Sequence, residues 1–228
     1  MTSRDEILSK VRTSLGAKAI DTRRRAAADQ RLETPPRHLV PQRARKDHAG
    51  LVAQFIEFLT MQFTVPIVVA TAADVPGAVA QYLRSANLPL SLRMGSDASL
   101  TALPWSREPG LSVLQGPADP ADTAGLSMAL AAVSETGTLV LASGAHNPVT
   151  LAFVPETHLV VVDEATIFGC YEDAIERVRA IFGKSGMPRT LNLVSGASRT
   201  ADIGGKIVIG AHGPRRLAVI IVKTWGST

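Results

Sequence analysis

Apolar residues run through this chain in two rhythms. Ile7, Leu8, Val11 and Leu15 recur at three- and four-residue steps, behind the S-x-x-E capping-box spacing of Ser3-Arg4-Asp5-Glu6 and ahead of Gly16. The spacing predicts a short amphipathic helix, too short to hold alone, whose stripe must lie on the body, on a second copy or on another protein. Leu51, Val52, Phe55, Ile56, Leu59 and Phe63 repeat the helical step. So do Val79, Tyr82 and Leu83, between an Asp74/Pro76 start and an Asn87/Pro89 stop, and Ile175, Val178, Ile181 and Phe182 within Tyr171 to Phe182. The second rhythm is continuous: residues 65–70, 90–94, 111–114, 138–142, 158–162, 191–194 and 217–222 are short aliphatic or β-branched runs, which predict strands. An Ala-rich stretch beyond Asp122 leads into Ser134-Glu135-Thr136-Gly137. Apolar strands alternating with helices predict an α/β body, a mainly parallel sheet flanked by helices, with ligand sites expected in loops at the carboxyl ends of its strands.

Composition sharpens this picture. With 46% hydrophobic residues among 228, the chain can bury a sizeable core, and only 4% are aromatic, which argues against a base-stacking surface for nucleic acid. The net charge of +4 is unevenly placed: residues 1–48 hold 12 Lys/Arg against 6 Asp/Glu, so residues 49–228 are net −2. We therefore read 1–48 as an amphipathic helix followed by a basic linker arm, in which Arg23, Arg24, Arg25, Arg43, Arg45 and Lys46 flank Pro35-Pro36, and 49–228 as the globular domain. The arm suits docking to an acidic partner better than nucleic acid, since it has no interleaved aromatics. Cys170 is the only cysteine, which excludes an internal disulfide, a thiolate zinc site and a self-contained iron-sulfur cluster, and fits a cytoplasmic address. No apolar run approaches the ~18 residues of a membrane span, and none resembles a signal peptide.

Three segments could carry chemistry. Ser134-Glu135-Thr136-Gly137 sets a carboxylate between an apolar stretch and a strand, where it must meet a cation or donors, or else serve as base or nucleophile. A structural hydrogen-bond anchor is the equal alternative. Ser195-Gly196-Ala197-Ser198-Arg199-Thr200-Ala201-Asp202 has the composition of an anion cradle: Gly196 and Ala197 expose backbone N–H groups beside the hydroxyls of Ser195, Ser198 and Thr200 and the Arg199 guanidinium. The bland reading is a helix N-cap region in which Arg199 and Asp202 pair. Gly210-Ala211-His212-Gly213-Pro214-Arg215-Arg216 constrains a histidine that can act as acid or base, or can merely satisfy carbonyls in a turn. His146 and His158 lack metal-ligand spacing with it, so no metal is expected.

Taken in order, Ser134-Glu135-Thr136-Gly137-Thr138-Leu139-Val140-Leu141, Pro155-x-x-His158, Ser195-Gly196-x-Ser198-Arg199-Thr200-Ala201-Asp202-Ile203 and His212-Gly213-Pro214-Arg215 resemble the lactate-utilisation protein C family (LutC type, LUD domain) over about residues 50–222. Ala197 stands where that family often has Pro, and Gly204-Gly205 where an acidic residue commonly follows. The resemblance implies a fold like that of the NagB/RpiA/CoA-transferase group. It also implies work beside two iron-sulfur partner proteins that oxidise L-lactate to pyruvate, with the clusters in those partners and no cofactor in this chain. Joined to the three segments above, this gives as candidate ligand a small organic anion, held by Ser134, Thr136, Gly137, Ser195, Gly196, Ser198, Arg199, Thr200, Asp202, Gly213 and Arg215, with Glu135 and His212 as candidate catalytic groups; the family name itself implies no catalytic step for this chain. A second likeness, of Ser134-Glu135-Thr136-Gly137 to the S-E-N-G segment of CoA-transferase β subunits, implies acyl transfer with Glu135 as nucleophile. A stand-alone anion-binding module is a third reading.

Overall fold

In the computed structural model, residues 2–16, 21–37, 39–183, 186–203 and 206–226 are described. The chain divides into two units, Met1–Leu39 and Val40–Thr228. The first holds helices α1 (Ser3–Ser14) and α2 (Thr22–Glu33), neither of which buries a residue. α1 is capped one residue earlier than its sequence suggests: the N–H and hydroxyl of Thr2 both donate to the Asp5 carboxylate, at 3.0 and 2.6 Å. α2 lies where we expected only linker. Its Asp21 cap accepts the Arg24 N–H at 3.0 Å, and the Ala-rich turn that follows needs no apolar face to coil. Residues 40–48, grouped by charge with the arm, fall in the second unit.

That unit contains α3 (His48–Met61), β1 (Val65–Thr71), α4 (Val75–Ser85), β2 (Ser91–Met94), α5 (Ala98–Thr101), β3 (Ser112–Gln115), β4 (Ala124–Met128), β5 (Ala131–Val133) and β6 (Thr138–Ala142). It continues with β7 (Thr157–Asp163), β8 (Ile167–Phe168), α6 (Tyr171–Phe182), β9 (Leu191–Val194), β10 (Arg199–Ile203), β11 (Lys206–Ile209) and β12 (Arg216–Thr224). Six strands form one sheet in the order β1-β12-β7-β4-β2-β3, with every neighbouring pair parallel. Strand alternation sends Leu159 and Val161 to one face, with Leu83 of α4, and Val160 and Val162 to the other, with Phe55 and Leu59 of α3. Each such side chain, fully buried, contributes about 1.5–3 kcal/mol.

A second, four-stranded sheet in the order β8-β5-β6-β9 packs Leu139 and Leu141 onto the α3 side of the first. It is mixed: β6 runs antiparallel to both β5 and β9, and β8 parallel to β5. α6 covers its outer side through Ala174 and Val178, against Ala131, Val133 and Val140. The Ala-rich stretch beyond Asp122 therefore supplies two strands, β4 and β5, because small side chains suit a strand squeezed between layers. Ala124, Leu126, Ala131 and Ala132 are all fully buried. β10 and β11 form a separate antiparallel hairpin. Much of the segment read as a loop or helix N-cap, residues 199–203, is thus strand.

Candidate functional site

The amino ends of β1, β12 and β7 lie beside the His212 turn and the Arg199 side chain. Phe63 and Thr64 precede β1, His212-Gly213-Pro214-Arg215 precede β12, and Glu156 precedes β7. This is the end opposite to the one expected from the parallel sheet alone, because long excursions through the second sheet and the hairpin return to the first sheet here.

Ser198 organises the loops. Its N–H donates to Pro214 O at 2.8 Å, its C=O accepts from Gly210 N at 2.9 Å, and its Oγ accepts from His212 N at 3.2 Å. One serine thus fixes the His212-Gly213-Pro214 turn to the start of β10. The His212 and Arg215 side chains stay exposed, with Arg215 Nη1 at 3.9 Å from the exposed Glu156 carboxylate. Gly213 packs within 4 Å of Ser198 and Phe153 as judged from the place its side chain would take.

The Arg199 guanidinium stacks over the Phe63 ring, 3.7 Å from its centroid. Phe63 ends α3 in a Schellman arrangement: Thr64 N donates to Leu59 O at 2.9 Å, and Phe63 N to Thr60 O at 3.0 Å. Its φ of 58° is one that glycine normally takes, at a cost of roughly 1–2 kcal/mol for a side-chain-bearing residue. On either side of it, Gln62 Oε1 and Thr64 Oγ1 are buried with no hydrogen-bond partner among the described residues. Gly196, at φ 94°, lies against Gln62, and a Cβ there would fall 3.1 Å from the Gln62 Cβ. Thr200 is on β10 beside Arg199, and Asp202 is on the same strand with its side chain outside the described residues.

The Ser134–Thr136 turn joins β5 to β6 and is held from several directions. Ser134 Oγ donates to Leu51 O of α3 at 2.7 Å, Glu135 N to Gly169 O at 3.2 Å, and Gln62 Nε2 to Thr136 O at 2.7 Å. Gly137 sits at φ 63° with α3 so close that a Cβ would lie 2.8 Å from the Phe58 Cβ. Thr136, Thr138 and Tyr171 close a ring of hydroxyls at 2.7, 3.0 and 2.9 Å, and Ser195 joins it at Thr138. A ring in which each hydroxyl donates to the next, with Ser195 donating in, uses all four O–H groups internally.

Glu135 is 7% exposed and, among the described residues, is the one carboxylate-bearing residue counted as buried. Its ion-pair partner is Arg43, with Nε 3.5 Å from Oε2. No hydrogen bond or ion pair among the described residues joins Glu135, Arg199 and His212 to one another. Glu135 pairs with the segment before α3, Arg199 with the residue after it, and His212 is anchored through its backbone to Ser198.

Arg43, Gln62, Phe63, Thr138 and Tyr171 were not among the site residues expected from sequence. Only Phe63, a bulky residue where a helix ends without glycine, carried a local signal. His158 is buried, its Nε2 3.0 Å from Ser127 Oγ, and burial lowers its pKa to about 4. It is a neutral core histidine. Cys170 is buried, its thiol donating to Asp173 Oδ2 at 3.3 Å, and burial raises its pKa. Among the described residues no group of three or more His, Cys, Asp or Glu could hold a metal ion, and no helix is long and apolar enough to cross a membrane.

Comparison with known proteins follows the same motifs. Residues 120–222 match the LUD domain family. A Deinococcus radiodurans protein named lactate utilization protein C is 35% identical over 212 residues, covering 89% of this chain and 93% of its own. A Neisseria meningitidis serogroup B protein is 37% identical over 99 residues, and a lactate utilization protein C of Macrococcus caseolyticus 30% identical over 99 residues. Those two matches span 42% and 43% of the relatives' own lengths. The crystal structure of a DUF162 family protein from Deinococcus radiodurans superposes with a TM-score of 0.59 at 27% identity, covering 78% of this chain and 99% of that one.

Proposed function

The chain belongs to the LUD-domain, lactate-utilisation protein C family, and from that premise we propose that it serves in lactate utilisation as a cytoplasmic component without a cluster of its own. It works beside iron-sulfur partners that oxidise L-lactate to pyruvate. Its own task is to bind a small organic anion at the amino ends of β1 and β12. The observation that carries the ligand reading is the Arg199 guanidinium held over a strained Phe63, beside a turn that Ser198 fixes. Two exposed cations, Arg199 and Arg215, and the exposed His212 stand around that turn, and Gln62 Oε1 and Thr64 Oγ1, unpartnered among the described residues, belong to the neighbours of Phe63. A carboxylate fits a guanidinium in charge and geometry, and a neighbouring hydroxyl suits the remaining polar groups.

The test is an anaerobic affinity purification of the tagged full chain from its native cell, with the eluate assayed for iron and for lactate-dependent dye reduction. Iron-bearing partners with that activity are expected. An iron-free, inactive eluate would overturn the reading. A second reading, acyl transfer, is favoured by one observation: Glu135 is a buried carboxylate paired with one cation, Arg43, a carboxylate of the kind that could attack a thioester carbonyl once released from that pair. Incubation with acyl-CoA followed by borohydride would then alter the mass of the peptide carrying Glu135, and an unaltered mass across several thioesters would dismiss it.

A further inference from the structure

The outer edge of β1 is apolar and uncharged along its length. Residues 58–73 contain no ionisable side chain, so among the devices that usually guard an edge the strand Val65-Pro66-Ile67-Val68-Val69-Ala70-Thr71 has Pro66 but no charge. Along it, Met61, Phe63, Val65 and Val68 are exposed, at 64, 68, 46 and 44%. β12 occupies one side of the strand, and among the described residues no strand pairs with the other. Pro66 has no N–H to give, which a strand tolerates where that position points away from its ladder. By alternation, Val68 and Ala70 then also direct their N–H and C=O groups outward.

The two ends of this edge are complementary. At the amino end stand the bulky Met61 and Phe63, with the Arg199 cation on the Phe63 ring. At the carboxyl end, a cavity of about 600 Å³ opens among Thr71, Ala72, Ala73, Ala98, Ala102 and Trp225, and the exposed Asp74 follows directly. We infer that the β1 edge is the interface between two copies of this chain. A two-fold axis through Val68 sets the β1 strands antiparallel, Val68 against Val68 and Pro66 against Ala70, and joins the two six-stranded sheets into one. The same rotation brings the bulky amino end of each β1 to the alanine-lined cavity of the other, and the cation of each to the other's Asp74. It is an isologous contact, each feature satisfied twice. α1 need take no part, and of the ligand residues only Arg199 does.

Sedimentation of the full chain across 1–100 µM tests it. A species of twice the 24.1 kDa chain mass is expected. Val68→Lys and Phe63→Gly should each weaken the dimer at least tenfold with an unchanged circular dichroism spectrum. Phe63→Gly is the safer fold, since glycine prefers that φ. Val68→Cys should give a dithiothreitol-reversible cross-linked dimer under oxidation, because the native Cys170 is buried. A monomer at 100 µM would overturn the proposal. So would a dimer that survives both substitutions or resists cross-linking at Val68.

Discussion

The Ser134–Thr138 turn and the loop segments Ser195–Arg199 and Gly210–Arg215 are all short, polar and rich in small residues, yet the molecule treats them oppositely. In the turn, polar groups are consumed internally: Ser134 on the α3 backbone, Thr136 and Thr138 on Tyr171 and Ser195, Glu135 on Arg43. In the loops, the backbone is fixed through Ser198 while the ionisable side chains of Arg199, His212 and Arg215 stay in solvent. The turn is a weld between two sheets and a helix. The loops are a mount for solvent-facing side chains. Polar composition alone does not separate these roles; what does is whether a hydroxyl has a partner across the fold.

Substitutions can break this contrast at graded cost. Gly137→Val should cost the most, at least about 3 kcal/mol, because it adds strain at positive φ to a clash with Phe58 on a helix that cannot retreat; urea denaturation reads it. His158 gives a pH-dependent effect of similar size. Its folded pKa, about 4, lies below the ordinary 6.5, so the unfolded chain binds the extra proton between those values. Stability is full above about pH 6.5 and falls by about 3 kcal/mol as the pH drops through 4, a slope that His158→Asn should abolish in denaturation curves taken across that range. Thr138→Val removes the hub of the hydroxyl ring and leaves Ser195 and Tyr171 short of a partner, for about 2 kcal/mol. Arg199→Ala should change the melting free energy by less than about 1 kcal/mol, the worth of an exposed cation–π contact, while damaging ligand binding. Near-equal stability losses for Thr138→Val and Arg199→Ala would erase the distinction between weld and mount.

The fold was largely legible where one side of an element is apolar. The helices at α3, α4 and α6 and the strands β1, β6, β7 and β12 follow from aliphatic periodicity, since burial decides them. β4 and β5 escaped because alanine and glycine carry little strand preference, and their state is set by the layer above them. α2 escaped because its stability is local, in a cap and alanines, with no apolar stripe to read. The candidate site was legible as motifs and illegible as geometry. Ser198, Arg199 and His212 were visible, but the Arg199–Phe63 stack joins residues 136 positions apart, and Arg43–Glu135 spans 92. The position of the loops at the amino ends of the strands depends on chain excursions between the two sheets, which no local pattern encodes.

Titration calorimetry of L-lactate into the full chain and its Arg199→Ala form is the most direct test of the central claim, that the exposed loops rather than the welded turn hold the anion. Saturable binding to the parent, weakened at least tenfold by the substitution as expected for loss of a charge-assisted hydrogen bond, is the predicted result. Equal affinity in the two forms, or no binding to the parent, would contradict it.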